Sequence, residues 1–198
     1  MPKRVDHEAR RQQIADALLR LTASRGLEAV SLRHVAREAG LSMGAVQHYF
    51  KTKDEMLVFA LQHQAEQRDR RITARVTGAD LSPKSVLRIC VLEMLPTDEQ
   101  SRLEWLVGVA YFIRTVAEPS LAAYTDGIPK ALEFFAGQLR RAQDEGDVAA
   151  DADPDSEAAV LWALADSLGV TITLGHQTPA EAVSIVDYHL DRLFSGGS

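Results

Sequence analysis

The stretch from Ser31 to Leu57 reads SLRHVAREAGLSMGAVQHYFKTKDEML, and it predicts a helix-turn-helix that continues into a third helix. Ala36 supplies a small residue where two helices cross closely, and Gly40 supplies a turn residue that tolerates positive φ. Ser42 is placed to cap the second helix, because its hydroxyl can accept a hydrogen bond from a backbone N–H of the first turn. The apolar residues expected on the buried side are Val35, Ala39, Leu41, Val46 and either Tyr49 or Phe50.

Helix start and stop signals recur along the whole chain, whereas the alternation typical of strands is absent. Capping-box spacing is found at Thr52, Thr97 and Thr178, each followed three residues later by Glu or Gln. The sequence therefore predicts an all-α protein of about nine helices, with a three-helix head and a helical body. The predicted spans are 7–25, 32–39, 43–49, 53–77, 83–95, 98–117, 119–145, 154–174 and 179–194.

The charge of the chain is unevenly distributed. Residues 1–78 hold 14 Lys/Arg and 9 Asp/Glu, whereas the remainder holds 8 and 19, so a net charge of −6 hides a basic first part. Because basic residues bind phosphates, this division favours DNA binding by the first part.

Cys90 is the sole cysteine, which excludes an internal disulfide and agrees with a reducing cytoplasm. No apolar run approaches the length of a membrane span, so no membrane partner is expected.

The second helix of a helix-turn-helix enters the major groove of DNA with its first residues on the base edges. In this sequence, Met43, Gly44, Gln47 and His48 are predicted to point towards DNA, whereas Val46 points to the core. Gln47 can pair with adenine through N6 and N7, and His48 can donate to a base or to a phosphate. The predicted DNA-binding domain therefore covers 1–52, and residues 53–198 form the helical body.

Residues 8–61 resemble the N-terminal domain of the TetR/AcrR family of one-component repressors, through the pattern LRxVAREAGLSxGAVxxYFKTKDEML. The second half resembles the family in helix number and in its DxxLxxLF ending, and it is most similar to the BetI-like branch. The resemblance implies that Tyr49 and Lys53 contact phosphates and that Arg33 reaches a guanine. Ser31 and Ser42 complete the predicted DNA-contacting set. In the alternative interpretation, Arg33 is a solvated charge and Tyr49 is a core residue.

The resemblance also implies an effector pocket in the body and a dimer formed by the last two helices, so residues 53–198 are the predicted ligand-binding and dimerisation domain. The helix over 154–174 is apolar nearly all round, which indicates that more than one subunit covers it. The alternative is burial of this helix inside a larger monomer. The predicted interface residues are Val160, Leu164, Leu168, Val186, Leu190 and Leu193. The predicted pocket residues are Phe59, His63, Cys90, Met94, Trp105, Val109, Phe112, Tyr124, Phe135, Trp162 and Asp166. The aromatic residues of this set, together with Asp166, suit a flat or cationic ligand. In the alternative interpretation, these aromatic residues are ordinary core residues.

The expected function is that of a homodimeric transcriptional regulator, with repression as the commoner outcome, which binds palindromic double-stranded DNA and is released by a small-molecule effector of unknown identity. We expect it in the cytoplasm, associated with the nucleoid. An enzyme is not expected, because no metal-ligand spacing, nucleophile elbow or phosphate loop is present, and no cofactor is expected. The alternative is a helical-bundle module that binds a protein partner instead of DNA.

Overall fold

The computed structural model describes residues 2–77, 80–117 and 127–195, except for the side chains of residues 2–6 and 117. These ranges contain nine α-helices and one short 3₁₀ helix, which confirms the predicted all-α class. The helices are α1 (Pro2–Arg25), α2 (Leu32–Glu38), α3 (Met43–Tyr49), α4 (Lys53–Val76), α5 (Pro83–Leu92), α6 (Glu99–Ala117), α7 (Gly127–Asp144), α8 (Pro154–Thr173) and α9 (Pro179–Leu193), and the 3₁₀ helix is Leu27–Ala29.

Most helices begin at the capping residues that the sequence indicates. The Ser42 hydroxyl accepts from the Ala45 N–H at 3.1 Å, and the Ser31 hydroxyl accepts from the His34 N–H at 3.3 Å. Thr178 forms the complete capping box with Glu181 at the start of α9. These hydrogen bonds satisfy backbone N–H groups that have no partner within the helix.

Two predicted helix starts differ from the structure, and one predicted capping box is incomplete. The first helix begins at Pro2 instead of residue 7, since a proline fits the first helical position without losing a hydrogen bond. Asp98, and not Thr97, caps α6, because its carboxylate accepts the Ser101 N–H at 2.7 Å. The box at Thr52 is incomplete, since the Glu55 carboxylate accepts from the Lys51 N–H. The predicted beginning of the seventh helix, 119–126, lies outside the described residues.

The chain packs as two compact units, Met1–Gln67 with Leu103–Tyr124, and Arg68–Arg102 with Thr125–Ser198. The first unit is therefore larger than the predicted 1–52 domain. The physical reason is one shared apolar core, in which Val107 and Tyr111 of α6 pack with the helices of the head and are almost fully buried. The predicted core stripe of α1 belongs to it, namely Ile14, Ala17, Leu18 and Leu21.

The second unit is a helical layer built around α5, which packs on α7, α8 and α9. Its core contains Leu87, Leu139, Leu161 and Leu190, all buried. On the surface, Arg88 donates two hydrogen bonds to Asp187, at 2.5 and 3.0 Å, and so joins α5 to α9. This pairing lowers the pKa of the Asp187 carboxyl, mainly through the hydrogen bond from Arg88.

Within the described parts of the chain, none of the helices combines the length and the apolar character that a membrane span requires.

Candidate DNA-binding surface and ligand-domain residues

The turn between α2 and α3 has the geometry that sequence reasoning predicts. Gly40 adopts φ of 66°, a left-handed conformation that residues with a side chain rarely take. The Leu41 N–H donates to the Ala36 carbonyl at 2.8 Å and the Gly40 N–H to the Arg37 carbonyl at 3.2 Å, which is the Schellman pattern of hydrogen bonds. The turn thus ends α2 and sets the direction in which α3 leaves.

The side of α3 that faces away from the core carries the residues predicted to read bases. Val46 is fully buried, whereas Gly44, Gln47 and His48 are exposed and Met43 is 38% exposed. Helical periodicity makes this division sharp, since residues three and four apart share a face. The exposed face offers hydrogen-bonding groups at Gln47 and His48 and a bare backbone at Gly44.

The remaining residues of the predicted DNA-contacting set lie in the same unit. Ser31, Arg33 and Ser42 are exposed, and Tyr49 is half-buried against the core. The hydroxyls of Ser31 and Ser42 accept hydrogen bonds from backbone N–H groups, so each keeps its own proton for donation to an external acceptor. The set is therefore accessible on one unit, and its contacts with DNA remain a prediction.

Two lysines at the end of the motif are held by backbone carbonyls. The Lys53 ammonium donates to the Leu27 carbonyl at 3.2 Å, and the Lys51 ammonium donates to the Gln47 carbonyl at 2.9 Å. An ammonium has three N–H donors, so each lysine retains donors for a phosphate. Lys51 is absent from the predicted contact set, although its position two residues after the end of α3 is a signal that the sequence contains.

Two side chains of α1 hold the helix-turn-helix in place through contacts that the sequence does not predict. The Gln13 side-chain amide donates to the Ala39 carbonyl at 2.7 Å, next to the turn. The Arg11 guanidinium carbon lies 4.1 Å from the centre of the Phe59 ring and 5.0 Å from that of Phe50. Contacts of this kind are favourable through the ring quadrupole, and they tie α1 to the turn, to the end of α3 and to α4.

Helix α6 adds a charged brace to the same unit. Arg114 bonds to the Asp54 carboxylate at 3.0 Å, and it also reaches Glu28, in the 3₁₀ helix, at 3.4 Å. The partners lie 60 and 86 positions away along the chain. These ion pairs therefore connect the 3₁₀ helix, the start of α4 and the last turns of α6.

The predicted ligand-binding residues are divided between the two units. In the first unit, the Phe59 and His63 rings stack with centroids 6.2 Å apart. Trp105 and Val109 are half-buried on α6, and Phe112 is 59% exposed. Tyr124 lies outside the described residues.

In the second unit, Cys90 and Phe135 are buried in the same core cluster, and Met94 packs against it. Burial, together with the nearby carboxylates of Asp69 and Glu93, raises the pKa of the Cys90 thiol to about 11. The remaining predicted pair is on α8, where the Trp162 side chain hydrogen-bonds the Asp166 carboxylate. Partial desolvation raises the pKa of that carboxyl despite this bond. As a ligand site, all of these residues remain a prediction.

The predicted dimer residues need a correction. Leu168, Val186 and Leu190 are buried at 4%, 0% and 0% exposure by the chain's own helices, so they form the protomer core and cannot meet a second subunit. Leu164 and Leu193 are half-buried beside that core, and Val160 is 47% exposed. The apolar side chains that α8 and α9 leave accessible are instead Val160, Val170, Leu174 and Tyr188.

A helix-turn-helix with an exposed recognition helix, followed by a separate helical unit, defines a DNA-binding transcriptional regulator. Comparisons with known proteins agree. The model described as "Bacterial regulatory proteins, tetR family" matches residues 14–58, and "BetI-type transcriptional repressor, C-terminal" matches residues 83–195. The chain belongs to the TetR family of transcriptional regulators, which have a DNA-binding helix-turn-helix and a ligand-binding C-terminal domain.

Relatives and solved structures support the same assignment. The chain is 40% identical over 174 residues to the HTH-type transcriptional regulator PksA of Bacillus subtilis, with 86% of this chain and 82% of that protein covered. A transcriptional regulator from a Rhodococcus species is 29% identical with a TM-score of 0.81, covering 94% of this chain and 96% of that one. A regulator from Saccharomonospora viridis, solved in complex with choline, is 26% identical with a TM-score of 0.85, and the coverages are 93% and 96%.

Proposed function

We propose that this protein is a homodimeric repressor that binds a palindromic operator and is released by a small organic effector. The observation that carries the proposal is the exposed face of α3, which presents Gln47 and His48 beside the bare backbone of Gly44. A repressor of this kind blocks transcription by occupying its site, so affinity for that site and its loss on effector binding are the two quantities to measure.

The sparse reading face of one head supports a dimer. Besides Gln47 and His48, only Arg33 of the predicted base-reading set offers a hydrogen-bonding side chain, and each good base contact discriminates by only about 1–3 kcal/mol. Two heads on a two-fold axis double these contacts and require inverted half-sites. The accessible apolar residues of α8 and α9 are a suitable surface for such self-association, since apolar patches of this kind mark interfaces.

Release by an effector follows from thermodynamic linkage. A ligand that binds more tightly to a conformation with low DNA affinity lowers DNA binding by the ratio of its two affinities. Helices α4 and α6 each contribute residues to both units, so they are the elements through which a change in one unit can alter the other.

An organic cation is the effector class that we favour. The S. viridis relative is described as a complex with choline, and the Trp162–Asp166 pair in this chain combines an aromatic face with a carboxylate. An aromatic face attracts a quaternary ammonium group through its quadrupole, and a carboxylate adds charge attraction. The expected effect of binding is an increase in thermal stability, because a ligand that binds the folded state stabilises it.

DNA binding is tested with fluorescently labelled duplexes. Binding to random duplex DNA should weaken steeply with salt, because released counterions drive it. A selection from random sequences should return an inverted repeat. Gln47→Ala should lose sequence preference, whereas Lys53→Ala should weaken all sequences alike and reduce the salt slope by about one. Absence of binding at low salt would overturn the DNA-binding function, and an unchanged preference for Gln47→Ala would overturn the reading role of that residue.

Self-association is tested by sedimentation of two matched variants. Val170→Glu places a charge among the accessible apolar residues of α8 and should give monomers. Phe134→Glu on α7 is the control, because its exposure of 44% is close to the 48% of Val170. If both variants remain dimeric, the α8 and α9 surface is not the interface.

The effector class is tested with choline and its neutral isostere 3,3-dimethylbutanol, which has the same shape without the charge. Choline should raise the melting temperature and weaken operator binding, and Asp166→Asn should remove both effects. Equal stabilisation by the charged and neutral compounds would exclude charge recognition.

A further inference from the structure

The first turns of α1 lie beside the end of the recognition helix α3. The ring of His7 is 4.7 Å from the ring of Tyr49, and the ring of His48 is 5.1 Å from it, both in edge-to-face orientation. The two imidazoles are 6.4 Å apart. Because His7 and His48 are exposed while Tyr49 is half-buried, one anchored aromatic ring supports two imidazoles that face solvent.

Arg11 holds this arrangement in place. It lies one helical turn after His7, so both side chains project from the same face of α1. Its guanidinium packs on the rings of Phe50 and Phe59, and its Nε atom is buried without a hydrogen-bond partner among the described residues. The position of His7 beside α3 is therefore fixed by packing of its own helix.

The charged groups around the imidazoles do not neutralise them. Among the described side chains of α1, the charged neighbours are Glu8, Arg10 and Arg11, and α3 carries no charged side chain besides His48. Lys51 follows α3, and the Glu55 carboxylate accepts the Lys51 N–H. Among the described side chains, neither imidazole forms an ion pair with a carboxylate. Within the described part of the chain no carboxylate therefore pairs with a protonated imidazole at this place, and an external phosphate is the group that would stabilise it.

We propose that His7 is a DNA-contacting residue that binds a backbone phosphate, and that both His7 and His48 are protonated when they contact DNA. This inference rests on the DNA-binding function proposed above. Imidazole is the side chain whose charge changes between about pH 5 and pH 8, and hydrogen bonds from a charged donor to phosphate are stronger than neutral ones. The protein therefore takes up protons when it binds DNA, and its affinity for DNA increases as the pH falls.

The experiment measures the affinity of the full chain for duplex DNA at constant ionic strength. For the unmodified protein, affinity should increase about tenfold between pH 8 and pH 6, because the slope against pH equals the number of protons taken up. For His7→Gln the increase should fall to about threefold, and for His7→Gln combined with His48→Gln it should nearly vanish. The salt dependence of the unmodified protein should also be steeper at the lower pH, since each added phosphate contact releases counterions.

The control is His176→Gln in the turn before α9, an exposed histidine in the other unit, which should keep the full pH dependence. Glutamine retains hydrogen bonding without the charge, so a purely structural role of His7 would shift affinity equally at every pH. Identical pH dependence in the unmodified protein and in the double variant would overturn the proposal. Failure to bind DNA at any pH would overturn the proposed function itself, which makes the two failures distinguishable.

Discussion

Replacement of the turn glycine Gly40 by alanine measures how much the backbone conformation at this position contributes to the stability of the DNA-binding head. A Cβ at Gly40 would meet no atom within 4 Å, so the substitution creates no clash. Its φ of 66° is nevertheless a conformation that costs a residue with a side chain about 1–2 kcal/mol. Alanine also lowers the entropy of the unfolded chain, which offsets about 0.4–1 kcal/mol. The expected net loss of unfolding free energy for Gly40→Ala is about 1 kcal/mol.

Gly44 provides the matched control, because it also has no atom within 4 Å of a built Cβ but lies in α3 without positive φ. Gly44→Ala should keep or increase stability by up to about 1 kcal/mol, since alanine is the better helix former. On the DNA-facing side, however, its methyl group keeps the backbone from a close approach, so DNA affinity should fall. The two substitutions thus change stability in opposite directions.

The assay is urea unfolding followed by far-UV circular dichroism, with DNA affinity measured on the same samples. A loss of about 1 kcal/mol corresponds to a decrease of about 2–4 °C in melting temperature for a chain of this size. Gly40→Asn should recover part of the loss, since asparagine tolerates the left-handed region. The reasoning is refuted if Gly40→Ala unfolds at the same urea concentration as the unmodified protein, or if Gly44→Ala is the less stable of the two.

Three further predictions concern the second unit. Cys90 should react with a thiol reagent at mildly alkaline pH only after denaturation, because the thiol is buried and has a pKa of about 11; rapid labelling of the folded protein would contradict this. Thr178→Ala should cost about 1 kcal/mol through loss of the capping box, measured by urea unfolding, with the exposed Ser184→Ala as control. Asp187→Asn should lower stability at neutral pH by no more than about 0.5 kcal/mol, because the pair with Arg88 is half-exposed to solvent. The pKa of Asp187 is lowered in the folded state, so this stabilisation is present above the unfolded value and disappears as the pH falls through the folded one. An effect of Asp187→Asn that persists in strong acid would contradict the prediction.

Features that depend on neighbouring residues could be predicted from the sequence. The caps at Ser31, Ser42 and Thr178 use hydrogen bonds that span three residues, so a short motif contains all the partners. The turn at Gly40 is likewise local, because a positive φ and the end of α2 are encoded within six positions. The outward face of α3 followed from helical periodicity alone.

Features that depend on residues far apart in the sequence could not be predicted. The bond from Gln13 to the Ala39 carbonyl crosses 26 positions, and the brace from Arg114 to Asp54 crosses 60. An apolar stripe on a helix indicates that this face is buried, but it does not indicate which helix or subunit buries it. For that reason the sequence pattern predicts that Leu168, Val186 and Leu190 meet a partner subunit, although helices of the same chain bury them.

The placement of Val107, Tyr111 and Arg114 in the first unit has a consequence for exchanging domains between regulators. A chimera joined at the end of the tetR-type match, residue 58, would give the head a foreign α6. Such a hybrid would lose the fit of two almost fully buried side chains and the brace to Asp54. A chimera should therefore keep the DNA specificity of this protein when it contains these three residues together with the head. A chimera without them should have a less stable head.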